Sequence, residues 1–133
     1  MSKLNPRQGI RSGAPWESLV GYSRAVRCGK FIAVSGTAAV DAEGRLVGAG
    51  DAYRQAQRCI EIIQAALRQA GADLRHVVRT RIFVTDISQW EDVARAHQEA
   101  FADIRPATSM LEVSRLIDPA MLVEIEADAI VDD

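Results

Sequence analysis

Apolar residues alternate with polar ones in some stretches of the chain and recur at every third or fourth position in others. Alternation is typical of strands with one buried face, and the longer period is typical of amphipathic helices. Two strand-like runs within residues 19–36 flank Cys28-Gly29, so a hairpin with a tight turn is predicted there. A second turn is predicted at residues 41–45, where Gly44 can adopt a positive φ.

Two amphipathic helices are predicted from the longer period. The first covers residues 53–70, and Gly71 follows as its C-terminal cap. The second begins at Ser88, which has the spacing of a capping box with Glu91, and Pro106 prevents its continuation. The expected apolar stripes are Tyr53, Ala56, Ile60, Ile63, Leu67 and Ala70 in the first helix, and Trp90, Val93, His97, Phe101 and Ile104 in the second.

Three further alternating runs predict strands at residues 77–85, 107–113 and 121–130. In the first of them the interpretation places Val78, Ile82 and Val84 on the buried face. The element order predicts an α+β fold in which two helices pack on one face of a mixed β-sheet. We expect a single domain over residues 1–133, with residues 1–16 as a loosely structured segment that contains several Gly and Pro residues.

The net charge of −2 and the pI of about 5.7 provide no general attraction to nucleic acid or anionic lipid. Cys28 and Cys59 match no metal-binding spacing and are interpreted as reduced thiols of a cytoplasmic protein. The first twenty residues lack the apolar core of a signal peptide, and no apolar stretch has membrane-spanning length. We therefore expect neither a membrane nor a nucleic-acid partner.

The last strand alternates apolar residues with Glu124, Glu126 and Asp128, and Arg79 and Arg81 are predicted to share the acidic face. One interpretation is a solvated face with cross-strand ion pairs, each contributing roughly 0.2–1 kcal/mol. The other is that this face lines a cavity or a subunit interface, where acids beside arginines form a site. Residue statistics favour the first interpretation, and periodicity is compatible with both.

Three segments together resemble the Rid family, also called YjgF or L-PSP proteins. They are GYSRAVRCGKFIAVSGTA, GADLRHVVRTRIFVTDISQWEDV and RPATSMLEVSRLIDPAMLVEIEADAI, and the closing EVSRL and LVEIEA are the most specific. The resemblance implies a chorismate-mutase-like α+β fold and a homotrimer with ligand clefts between subunits, without a cofactor or a metal. It also implies a small-molecule metabolite as partner, because family members hydrolyse enamines and imines, such as 2-aminoacrylate, to 2-oxo acids and ammonia. Some relatives are described as endoribonucleases.

The resemblance also implies site residues. Glu124 matches the glutamate thought to hold the attacking water and is the expected catalytic residue. The expected substrate-binding positions are Tyr22, Ser35, Gly36, Trp90, Thr108 and Met110, and Arg81 is added because it shares the acidic face. Purely structural roles are open for each of them: Tyr22 and Trp90 can pack in the core, Ser35-Gly36 can end a strand, and Glu124 can belong to a polar face.

The chain departs from the family pattern where deaminating members have an arginine that binds the substrate carboxylate. Thr108 occupies that position, and Ala94 replaces the usual asparagine of the second helix. Arg105 is expected to face the wrong way in an extended chain. Arg81 is either a relocated cation or, as we favour, the partner of neighbouring acids.

Two functions therefore remain open, with a third less favoured. The leading one is a hydrolase that acts on an enamine- or imine-like metabolite, and the alternative is a metabolite-binding module without turnover. An endoribonuclease is the third, and the acidic pI, few aromatic residues and lack of a basic stripe argue against it.

Overall fold

The computed structural model describes residues 7–132, which form a six-stranded mixed sheet with its two long helices on one face. In chain order the elements are β1 (Arg7–Ile10), α1 (Pro15–Val20), β2 (Ala25–Cys28), β3 (Phe31–Thr37), α2 (Ala52–Gln69), β4 (Val77–Val84), α3 (Trp90–Phe101), β5 (Ala107–Glu112) and β6 (Val123–Ile130). The sheet order is β1-β2-β3-β6-β4-β5, and β4 and β5 run parallel while the other neighbours run antiparallel. The predicted α+β class is confirmed.

Both predicted turns are present, and in each a glycine takes the backbone conformation that the turn requires. Gly29 has a φ of 62° between β2 and β3, and Gly44 has a φ of 81° in the loop that follows β3. An L-residue with a side chain rarely adopts such a φ. The hairpin then aligns Ala25 with Val34, and both side chains point into the core.

The core lies between the sheet and the apolar stripe of α2. Ile63 and Leu67 of α2 are fully buried, as are Ile32 of β3 and Ile125 of β6. Burying an aliphatic side chain of this size contributes about 1.5–3 kcal/mol. Cys59 is also fully buried in this layer, and the loss of solvation raises the pKa of its thiol.

The N-terminal segment is more ordered than predicted. Residues 1–6 lie outside the described part of the chain, but β1 pairs with β2 and α1 begins at Pro15. Between them, Glu17 is 4% exposed and its carboxylate accepts hydrogen bonds from the backbone and the hydroxyl of Ser12. A buried, bonded acid fixes a loop without leaving an apolar signal in the sequence, and the expectation of a loose segment was therefore wrong here.

Three details of the predicted helix and strand patterns are also wrong. The side chain of Asp86, rather than that of Ser88, accepts the capping hydrogen bond, and a 3₁₀ turn over Ile87–Gln89 precedes α3. Trp90 starts α3 and is 50% exposed, so it is not part of the buried stripe. In β4 a register shift between Val77 and Arg79 breaks the alternation and leaves Val78 exposed rather than buried.

The C-terminal end of α3 contains an unusual backbone conformation. The backbone N–H groups of Ile104 and Arg105 both donate to the carbonyl of Phe101, at 3.0 and 2.8 Å. Arg105 has a φ of 55° and is the only non-glycine residue with positive φ among residues 7–132. Glycine or asparagine usually occupies such a position after a helix.

We expect Arg105→Gly to leave the free energy of unfolding unchanged or to raise it by up to about 1.5 kcal/mol, although a whole side chain is lost. A left-handed conformation costs a residue with a Cβ roughly 1–2 kcal/mol. The greater freedom of glycine in the unfolded chain offsets roughly 0.4–1 kcal/mol of that gain. Urea denaturation measures the change. Arg115→Gly, at an exposed position with ordinary φ, is the matched control and should lower stability; equal effects of the two changes would contradict the assignment of strain.

Candidate functional site

The predicted site residues lie on two separate surfaces of the chain. Gly36 and Glu124 meet on the sheet face opposite the long helices, where Glu124 pairs across the strands with Phe83. Thr108 and Met110 pair with Thr80 and Ile82 of β4, whose side chains point toward the helices. The two groups of residues therefore do not meet within a single chain.

The carboxyl group of Glu124 lies directly against Gly36. A Cβ atom on residue 36 would collide with the Glu124 carboxyl, so the missing side chain is what makes room for it. Burial raises the pKa of Glu124, the positive charge of Arg24 lowers it, and the neighbouring Glu126 raises it; the net result is a pKa above the usual value. A carboxylate whose pKa is raised is a stronger base than a fully solvated one.

Arg24, which no sequence motif marks, is the cation beside this carboxyl. Its side chain is 8% exposed, and its Nη2 donates to the carbonyl of Gly36 at 2.7 Å. The guanidinium carbon lies 5.6 Å from the ring centre of Tyr22. Its Nε is the one buried side-chain polar atom without a hydrogen-bond partner in the described residues. Arginine at a strand start is usually solvated, so the sequence offered no distinguishing signal for it.

Tyr22 and Ser35 border a polar cavity of about 660 Å³ next to α1. The Ser35 hydroxyl donates to the backbone carbonyl of Ser23 at 2.7 Å, which fixes the end of β3 against the segment before β2. The remaining lining residues are Arg7, Arg11, Gly13, Ala14, Pro15, Glu17, Ser18, Gly21, Ser23 and Val26. Arg24 connects this cavity to the Glu124 carboxyl, because its guanidinium lies near the Tyr22 ring and donates to Gly36. A common site of Tyr22, Ser35, Gly36 and Glu124 stays a prediction.

Arg81 contacts acids on the same sheet face. Its Nη1 lies 3.4 Å from Oε1 of Glu126 and 3.3 Å from Oδ2 of Asp128. The side chain is 41% exposed, so these pairs contribute at most about 1 kcal/mol each. The contacts agree with the favoured interpretation of Arg81 as a partner of neighbouring acids, and its role in substrate binding stays a prediction.

The second surface is a cavity of about 520 Å³ between the C-terminal half of α3 and β5, which we name the α3–β5 cavity. It is lined by Ile82, Ala94, His97, Gln98, Phe101, Ala102, Arg105, Pro106, Thr108 and Met110. Thr80, fully buried, connects its polar groups: its Oγ1 lies 2.8 Å from Oγ1 of Thr108 and 2.9 Å from Nε2 of His97. Burial lowers the pKa of His97, which favours the neutral ring.

Trp90 lines neither of these two cavities, and its place near a ligand stays a prediction. Within residues 7–132 no group of three or more His, Cys, Asp or Glu side chains is arranged to hold a metal ion. In the same part of the chain, no helix combines the length and the apolar character that crossing a membrane requires.

The chain is similar to proteins of one known family. The sequence model described as Endoribonuclease L-PSP matches residues 13–131. A protein named 3-aminoacrylate deaminase RutC from Acinetobacter baylyi is 31% identical over 111 residues, covering 84% of this chain and 87% of that protein. An uncharacterized Streptomyces coelicolor protein is 36% identical over 120 residues, covering 90% and 89%.

Solved structures agree with the sequence comparison. A Mycobacterium tuberculosis protein, described as a member of the YjgF/YER057c/UK114 family, superposes with a TM-score of 0.86 and is 50% identical, covering 94% of this chain and 99% of that chain. The YjgF gene product of E. coli superposes with a TM-score of 0.81 at 28% identity, covering 92% and 98%. The chain belongs to the Rid/YjgF/L-PSP family.

Proposed function

We propose that the protein is a small-molecule hydrolase that deaminates an enamine- or imine-like metabolite, with Glu124 as the base that activates water. The observation that carries the proposal is the Glu124 carboxyl, which lies over the side-chain-free backbone of Gly36 with a raised pKa. In this reaction the water oxygen bonds to the imine carbon while Glu124 accepts a water proton. The nitrogen takes up that proton as the C=N double bond becomes a single bond, which gives a carbinolamine. The C–N bond of the carbinolamine then breaks while its hydroxyl proton passes through Glu124 to the departing nitrogen, leaving ammonia and a carbonyl product.

The name of the Acinetobacter baylyi relative, an aminoacrylate deaminase, supports this class of chemistry. The net charge of −2 argues against the ribonuclease activity that the family description mentions, because nucleic-acid binding relies on a basic surface. Thr108 in place of an arginine argues for a substrate or an anion grip different from that of 2-aminoacrylate deaminases.

We further propose a homotrimer in which each complete site combines the Glu124 half of one copy with the Thr108 half of its neighbour. The two halves lie on opposite sides of one sheet, so a second copy is needed to bring them together. Large apolar side chains on the face opposite the helices are also uncovered: Phe31 and Ile130 are each 45% exposed, and Leu111 is 48% exposed. Exposed apolar surface of this kind is typical of an interface. The unpaired thiols of Cys28 and Cys59 are compatible with the proposed cytoplasmic location.

The oligomer is tested by light scattering at micromolar concentration. We expect a mass of three times the 14.5 kDa chain, because burial of the apolar face stabilises the assembly. A monomer mass would contradict the combined site, and Glu124 and Thr108 would then have to act separately.

Glu124→Gln should lower turnover by roughly 10²–10⁴-fold and leave the oligomer intact. Glutamine keeps the shape of the side chain but cannot accept the proton. Ammonia release from freshly generated 2-aminoacrylate and related imines measures the rate. Glu126→Gln, on the same face and paired with Arg81, is the matched control and should retain most of the rate. Wild-type protein that binds such compounds without releasing ammonia would instead indicate the binding module.

Arg24→Gln should raise the pKa of Glu124 further. Arg24 favours the ionised carboxylate, so its removal makes protonation easier, and the acid limb of any activity profile moves to higher pH. Glutamine still offers an N–H for the Gly36 carbonyl. Carbon NMR titration of the Glu124 carboxyl measures the shift without a substrate. Arg81→Gln is the comparison, and an unchanged Glu124 titration in Arg24→Gln would show that Arg24 has no electrostatic effect on it.

A further inference from the structure

The α3–β5 cavity lacks the arginine that the family pattern places at residue 108, yet it contains another arginine. We infer that Arg105 supplies the positive charge of this cavity and that the cavity binds a small carboxylate with an apolar body. This deepens the proposed function by naming a ligand class and a binding residue for the same site. The effect of Arg105 on turnover rests on the proposed function, whereas the binding of a carboxylate does not depend on it.

The backbone brings Arg105 to the cavity. From an extended chain, Arg105 was expected to point away from the side that Thr108 occupies, and that expectation is wrong. Its φ of 55° turns the chain between α3 and β5, so that Arg105 and Thr108 line the same cavity. Glycine would adopt this conformation without strain. A strained residue that persists where glycine fits better points to a use for its side chain.

The charge of Arg105 is not matched by the protein. Within residues 7–132 its side chain has no hydrogen bond and no ion pair. The cavity lining contains no acidic residue, and its other titratable side chain is His97, which burial favours in the neutral form. A guanidinium presents paired N–H donors that fit a carboxylate, and it keeps its charge at any physiological pH.

Thr108 provides a second donor for the same group. Its hydroxyl donates to the Pro106 carbonyl at 3.2 Å, a long hydrogen bond that a bound oxygen can replace. When the Thr108 hydroxyl donates to a ligand in the cavity, it can accept a hydrogen bond from the Thr80 hydroxyl. The Thr80 hydroxyl in turn accepts from Nε2–H of His97, so each donor in this series of hydrogen bonds has an acceptor. His97 is thus a positioning residue that keeps Thr108 in the donor orientation.

The rest of the cavity is apolar. Ile82, Phe101 and Met110 line it, and the ring of Phe101 packs against His97 with 4.6 Å between centroids. These walls exclude a fully polar ligand and favour a hydrocarbon chain. A volume of about 520 Å³ accommodates a short-chain acid and leaves space for a larger apolar group.

The test compares butyrate with butyramide, which have nearly the same shape and differ in charge. Proton NMR follows the C2–H signals of the chain's two histidines: His97 reports on the cavity and His76, in the 3₁₀ turn Leu74–His76, is the internal reference. We expect wild-type protein to bind butyrate more tightly than butyramide, with shifts at His97 and not at His76. In Arg105→Gln and Arg105→Gly, butyrate binding should weaken roughly 10- to 100-fold and butyramide binding should stay within about twofold.

Arg115→Gln, an exposed arginine outside the cavity, is the control and should bind both compounds as the wild type does. Arg105→Gly relieves backbone strain, so weaker binding by this variant is not explained by unfolding. Thr80→Val should reduce butyrate affinity less than Arg105→Gln does, because it removes the alignment of Thr108 but not the charge.

The inference is overturned if the wild type does not prefer butyrate, or if both Arg105 variants retain wild-type butyrate affinity. It is also overturned if the Arg105 variants lose affinity for butyrate and for butyramide to the same extent, because the loss would then not depend on the charge of the ligand. Failure of the proposed function gives a different result, namely charge-selective binding that depends on Arg105 without any ammonia release. If Arg105→Gln keeps both its turnover rate and its KM, Arg105 does not bind the substrate, and the proposed role of Glu124 is unaffected.

Discussion

The alternation of burial along β6 determines on which face of the sheet the candidate catalytic residue Glu124 lies. Val123, Ile125, Ala127 and Ala129 are at most 1% exposed beneath the helices. The residues between them must therefore project from the other side of the central strand. A one-residue slip would place three carboxylates in the apolar core, at a cost far larger than any single contact could offset. The same apolar packing that holds the sheet to α2 thus holds Glu124 on the open face beside Gly36.

The periodic parts of the structure were predictable because each long element buries one face. The helices near residues 52–69 and 90–101, the strands and both glycine turns follow from hydrophobic spacing and from backbone requirements that are local. The errors arose where a polar interaction or an irregularity of the sheet interrupts that spacing. Glu17 orders a segment without apolar signal, Asp86 replaces Ser88 as a cap, and a register shift exposes Val78.

The site was predictable only in part, for a related reason. The resemblance identified Glu124, Gly36 and Thr108, but a motif does not state on which side of a sheet each residue lies. Arg24 was not predicted as a site residue because its position beside the carboxyl depends on burial. That burial arises from packing by residues distant in sequence. Arg105 has a left-handed backbone conformation, so the side-chain direction that an extended chain would give does not apply to it. Arg24 lies beside the Glu124 carboxyl and Arg105 lines the α3–β5 cavity, and neither placement follows from hydrophobic spacing.

Gly36 and Glu124 have a consequence for the divergence of the family. Since a side chain at position 36 would occupy the space of the carboxyl, the two positions are not free to vary independently. If residue 124 were small, a Cβ at position 36 would no longer meet the atoms of a glutamate side chain. A lineage that first acquires a side chain at 36 has displaced the acid, even if the glutamate codon persists. In this chain, any residue larger than glycine at position 36 therefore shifts the Glu124 carboxyl from its present place, even though residue 124 itself is unchanged.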